Sequence, residues 1–168
     1  MRSGLTILEM LISLAILAVL MVAIGTAAQG VLHSHVENRK ISRLAQTARV
    51  VLGRVLDDVR TADAIDADEQ RITIVPPDNY EHVEEIEYEF VDGALHYRRT
   101  IAGEQASQTL LPAGDDVQVQ DFVVTRQMAQ DHLGVWYTQS LTVSLTLTCG
   151  NDSLSVTGSV CPRRNMTY

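Results

Sequence analysis

Glu9 is the residue whose position most demands a chemical explanation. It stands at the edge of a run, Met10 to Ala28, that carries no charged side chain. A carboxylate bordering an apolar segment is costly unless a cation neutralises it. No Lys or Arg lies within a helical turn on its C-terminal side, and Arg2 is too far upstream for an i,i+4 pair. The chemistry open to such an acid is charge pairing, and the missing cation points to another chain.

Cys149 and Cys161 are the second reactive pair. Two thiols are ordinary in a cytosolic protein, but in an exported domain a disulfide becomes the better reading. A tight turn near residues 150–153 works against it, because Cys149 then pairs near residue 154 and Cys161 near residue 142. A bridge requires Ser153 to Val160 to bend back, or the turn to lie elsewhere.

The remaining polar clusters carry less chemistry. His33 and Glu37 share a helical face while His35 points away, and no further ligand occurs at metal-binding spacing. His82-Val83-Glu84-Glu85 lacks the two-histidine spacing of a zinc protease helix and reads as a solvated acidic loop. Asp115-Asp116 and Asn151-Asp152 have calcium-type oxygens without the twelve-residue loop pattern that would organise them. No nucleophile elbow, phosphate loop or dinucleotide fingerprint occurs. Trp136 and the tyrosines are expected in a core. These readings lead to no enzyme, no metal, no cofactor and no small-molecule substrate.

The elements that position these residues emerge from the hydrophobic pattern. The uncharged run of 19 residues from Met10 to Ala28 reaches about 28 Å as a helix, close to the hydrocarbon thickness of a bilayer. Beyond it, Ile41, Leu44, Ala48, Val51, Leu52, Val55, Val59 and Ala62 recur in helical steps. Arg39, Lys40, Arg43, Gln46, Arg49, Arg54, Asp57 and Arg60 fall on the other face. Gly25 and Gly30 interrupt the helix between its halves, at about 1 kcal/mol each relative to alanine.

After Asp63 the period shortens to two. Arg71–Val75, Glu85–Phe90, Leu95–Ile101, Val117–Arg126, Val135–Thr148 and Ser153–Cys161 read as strands, with Asp92-Gly93 as a hairpin turn. The expectation is an α+β fold: one helix packed on an antiparallel sheet of about five to seven strands. Among 168 residues the net charge is −8, and −9 once Arg2 is removed. That balance argues against a nucleic-acid partner, which needs clustered Lys and Arg.

Gly4-Leu5-Thr6-Ile7-Leu8-Glu9, running into Met10-Leu11-Ile12-Ser13-Leu14-Ala15-Ile16-Leu17-Ala18, resembles the type IV prepilin cleavage motif and the hydrophobic start beyond it. Leu5 departs from the usual Phe but is also apolar. The resemblance implies cleavage between Gly4 and Leu5 by a prepilin peptidase, with methylation of the new Leu5 amine. It also implies that Glu9, fifth in the mature chain, neutralises that amine on a neighbouring subunit. It divides the chain into a leader (1–4), a membrane and filament-core helix (5–28), an amphipathic helical half (29–63) and a β-rich domain (64–168), a pilin-like fold.

Val51 to Ala62, and the ending Ser159-Val160-Cys161-Pro162-Arg163-Arg164-Asn165, are loosely similar to J-type minor pseudopilins and W-type minor pilins. This second resemblance implies a structural minor subunit of a pilus or a type II secretion pseudopilus. Its partners would be sister pilins, the peptidase and the inner membrane, with the C-terminal domain outside the cytoplasm. The competing expectation is a periplasmic enzyme or binding domain on an ordinary signal or anchor, with Gly25-Thr26-Ala27-Ala28 as the cleavage site.

Overall fold

The computed structural model describes residues 6–77, 82–114 and 116–163. The helical pattern becomes one element, α1, Ile7–Thr61, with Gly25 and Gly30 inside it rather than between two pieces. The chain divides into two compact units, Met1–Lys40 and Ile41–Tyr168. In the first, every described side chain from Ile7 to Arg39 is exposed, apolar ones included.

In the second unit the sequence spacing becomes a packed face. Leu44, Ala48, Val51, Leu52, Val55 and Val59 are all buried, because steps of three and four stack side chains on one stripe of the helix. Ile41, read as the first residue of that stripe, is 51% exposed. The helix stops where Thr61 Oγ1 donates back to the Asp57 and Asp58 carbonyls and Asp63 N–H donates to Val75 C=O.

Eight strands come after it: β1 Ala64–Asp68, β2 Arg71–Val75, β3 Val83–Val91, β4 Ala94–Ile101, β5 Glu104–Leu111, β6 Gln118–Gln130, β7 Trp136–Cys149 and β8 Asp152–Val160. They form two antiparallel sheets, β1-β2-β3-β4-β5 and β6-β7-β8, rather than the single sheet expected. β1 and β6 lie side by side, joined by Val124 N–H donating to Glu69 C=O at 2.9 Å and by Arg126 donating to Ile65 C=O at 3.1 Å. The Asp92-Gly93 hairpin is confirmed. Both residues have positive φ, 52° and 77°, as a two-residue turn matching strand twist requires. Ala102-Gly103 makes the same turn into β5, at 50° and 78°.

The helix packs on inward strand residues, among them Ile72, Ile74, Tyr88, Leu95, Leu141, Val143, Leu145 and Leu147. At β8 the approach is so close that a Cβ on Gly158 would lie 2.5 Å from Leu56 Cδ1. A polar group is built into the helix–sheet contact. Tyr88 O–H donates to Asp58 at 2.6 Å, and the guanidinium of Arg54, an exposed residue, lies 4.0 Å above the Tyr97 ring. The opposite face of the first sheet carries a ladder in which Glu87 pairs with Arg71 and Arg98, and Arg98 reaches Glu89 at 2.6 Å.

The expected Cys149–Cys161 disulfide is not formed, and both thiols are free. Cys149 pairs with Asp152 at the turn of the β7–β8 hairpin, whereas Val160, the neighbour of Cys161, pairs with Leu141. Eight residues of β7 separate Leu141 from Cys149, about 27 Å at strand rise, far beyond disulfide reach. The hairpin does not bend back.

Candidate functional site at the start of the helix

Glu9 turns out to have a local partner. Thr6 N–H donates to Glu9 Oε2 at 3.0 Å, Thr6 Oγ1–H donates to the same oxygen at 3.2 Å, and Glu9 N–H donates to Thr6 Oγ1 at 3.3 Å. This is the reciprocal capping box, in which residues three apart satisfy each other's orphan amides at a helix N-terminus. The acid also faces the positive end of the helix dipole. The Thr6-x-x-Glu9 spacing was the available signal, outweighed in a charge-based reading by the absence of nearby Lys and Arg. Only Oε2 is engaged, and Oε1 makes no hydrogen bond among the described residues.

Immediately after the cap comes a sheath of exposed apolar side chains, including Leu11, Leu14, Ile16, Leu17, Leu20, Met21 and Ile24. None of the described side chains in this stretch is buried. A soluble core helix would bury that surface, and the helix is long and apolar enough to cross a membrane. Gly4 and Leu5, where cleavage and methylation are expected, lie outside the described residues.

The other candidates do not assemble. His33 Nε2 approaches Glu37 at 3.3 Å, an exposed i,i+4 contact that His35 does not join. Asp116 pairs with Arg43 at 2.8 Å, Asp115 lies outside the described residues, and Asn151-Asp152 belongs to the β7–β8 hairpin. His82 sits in the turn before β3 with φ 60°, and Glu84 accepts a hydrogen bond from Gly103 N–H. Among the described residues no three His, Cys, Asp or Glu side chains are grouped to hold a metal ion. Trp136 corrects the core expectation. It is 62% exposed at the start of β7, whereas Tyr88 and Tyr97 are buried.

Fold and site together define an α+β protein with antiparallel sheets and one N-terminal helix long and apolar enough to cross a membrane. No family model, curated protein or solved structure matches the chain.

Proposed function

We propose that the chain is a minor pilin or pseudopilin subunit, processed between Gly4 and Leu5 and built into a filament through α1. The observation that carries this reading is Glu9, an acid with one oxygen capping the helix and the other without a hydrogen bond among the described residues, at the head of an exposed apolar helix. A carboxylate with a spare oxygen in apolar surroundings is suited to a second, intermolecular cation. The capping amide belongs to Thr6, so it survives a cut after Gly4. The freed Leu5 amine, methylated or not, remains cationic.

On this reading the helix holds the subunit in the inner membrane with residues 64–168 outside the cytoplasm until assembly. The subunit then helps to initiate or cap a pilus or type II secretion pseudopilus with sister subunits. N-terminal sequencing and mass analysis of protein recovered from its own cell should give N-methyl-leucine at Leu5. A chain starting at Gln29, or an intact Met1, would instead indicate an ordinary signal or anchor.

A second measurement isolates the charge. Glu9→Gln keeps a capping-box acceptor but removes the ion-pairing charge. Both Glu9→Gln and Glu9→Ala should remain in the membrane and be lost from sheared filaments. Normal recovery of Glu9→Gln would reduce Glu9 to a helix cap.

A further inference from the structure

The two sheets leave two strand edges open, and they match each other. β5 ends the first sheet and β8 the second, and neither has a further strand partner among the described residues. Because β1 and β6 meet, β5 and β8 are the two free ends of the strand series β5-β4-β3-β2-β1-β6-β7-β8.

Their directions are fixed by contacts with residues 41–61 of α1. Arg49, Leu52 and Leu56 border Leu154 and Val156, Gly158 meets Leu52 and Leu56, and Arg163 N–H donates to Arg60 C=O. β8 therefore runs in the direction of the helix. β6 shares that direction through β7, and β1 runs against β6, since Ile65 lies by Arg126 and Glu69 by Val124. Alternation through β2, β3 and β4 makes β5 run against the helix. Two copies set side by side with their helices parallel thus present β8 of one to β5 of the next as an antiparallel pair.

Both edges lack Lys and Pro, two of the devices that keep edge strands apart, and each carries a single charge. β8 carries Asp152 alone, at its start, and β5 carries Glu104 alone, at its start. β5 is exposed on both faces from Glu104 to Thr109. Outward hydroxyls on β8 already pair with β7, as in Thr142 with Ser159 and Ser144 with Thr157, and Gln105, Ser107 and Thr109 would extend that polar face.

On the inward side, Leu52, Gly53, Leu56, Leu154 and Val156 line an open apolar groove beside the β8 edge, with Arg49 at its rim. Arg49 and Glu104 are exposed, and neither makes an ion pair among the described residues. Glu104 and Ala106 are the helix-side residues of β5, because they pair with Ile101 and Arg99 on the strand face that holds Tyr97.

We infer that copies of this chain associate head to tail through the β8 edge of one and the β5 edge of the next. Glu104 lies opposite Val156 and reaches Arg49, Ala106 lies opposite Leu154 in the groove, and Gln105 lies opposite Ser155. This is strand addition between unlike surfaces, which propagates instead of closing. A two-fold β8–β8 pair would reverse the helices, whereas this join keeps residues 41–61 of every copy pointing the same way. The inference goes beyond the proposed function and does not depend on cleavage after Gly4.

Two full-length chains with different tags and with Cys161→Ala, one carrying Ser155→Cys and the other Gln105→Cys, are co-expressed in bacterial membranes and oxidised. Opposed positions on antiparallel strands are within disulfide range. The expected result is a doubly tagged dimer from the mixture and none from either chain alone. Glu104→Arg in the Gln105→Cys chain lowers its yield by roughly tenfold, and Arg49→Glu in the other chain restores it. A mixture yield no higher than that of the single chains, or cross-linking of the Ser155→Cys chain to itself, overturns the inference. Indifference of the yield to Glu104→Arg overturns the Arg49 register.

Discussion

Asp58 shows how a single side chain can couple the helix to the sheet. Burial pushes its carboxyl above the ordinary aspartate range, while the Tyr88 hydrogen bond and the Arg54 guanidinium pull the other way. Tyr88 is itself pushed up by burial and by Asp58, so it stays a donor at physiological pH. Because the folded value lies above the unfolded one, the folded state holds the Asp58 proton to higher pH. Its contribution to stability is present below the unfolded value and is lost as pH rises through the folded one. Asp58→Asn keeps an acceptor for Tyr88 and removes that titration. Urea unfolding at a series of pH values should show a smaller fall in stability, from the ordinary aspartate range upward, than in the parent. Tyr88→Phe leaves Asp58 without its donor and should cost about 1–3 kcal/mol at neutral pH in the same assay. This cluster was hidden in the sequence. Arg54 falls on the polar side of the helical pattern, and only its long stem brings the guanidinium over Tyr97. Glu9 misled in the opposite sense: judged by charge alone it lacked a partner, and the hydroxyl and amide of Thr6 supply one.

At the scale of elements, the contact between α1 and β8 depends on Gly158. Its missing Cβ lets Leu52 and Leu56 sit against the strand, since a Cβ there would be 3.2 Å from Leu52 Cδ2 and closer still to Leu56. Gly158→Val must push these side chains aside and should destabilise by about 1–3 kcal/mol in thermal or urea unfolding. Adding Leu56→Ala should recover part of that loss, a coupling that a double-mutant cycle reads directly. The same elements show how much patterning conveys. α1 was legible because Leu44 to Val59 keep helical steps over an element that is buried on one stripe. β3, β4, β7 and β8 were legible because one face of each is apolar. β5 was missed because Glu104 to Thr109 is exposed on both faces and so has no alternation to read. β1 alternates too, but with five residues, and only Ile65 and Ala67 as its half-buried apolar positions, the pattern is too short to stand out from the loop after the helix. The division into two sheets was invisible for a related reason: it depends on which edges meet, and period-two alternation is the same in either arrangement.

For the whole molecule, the sequence divides one helix into an apolar length and an amphipathic one, and the burial of side chains respects that division. From Ile7 to Arg39 nothing described is buried, while the core begins at Leu44 and ends at Val160. The apolar run before Ala28 therefore adds nothing to the core of the unit Ile41–Tyr168, whereas the later helical stripe is indispensable to it. Burying Leu44, Val51, Leu52, Val55 and Val59 is worth on the order of 7–15 kcal/mol as an upper estimate. That is comparable with the entire stability of a typical domain. A chain beginning at Gln29 should accordingly be soluble without detergent, show β-sheet circular dichroism and melt cooperatively. A chain beginning at Asp63 keeps every strand but uncovers Ile72, Tyr88, Leu141 and Leu145. It should aggregate or fail to melt as a unit, because a sheet with an apolar face needs a second layer. If the chain from Asp63 folded as well as the chain from Gln29, the helix would be an appendage, and the core assigned to it would be wrong.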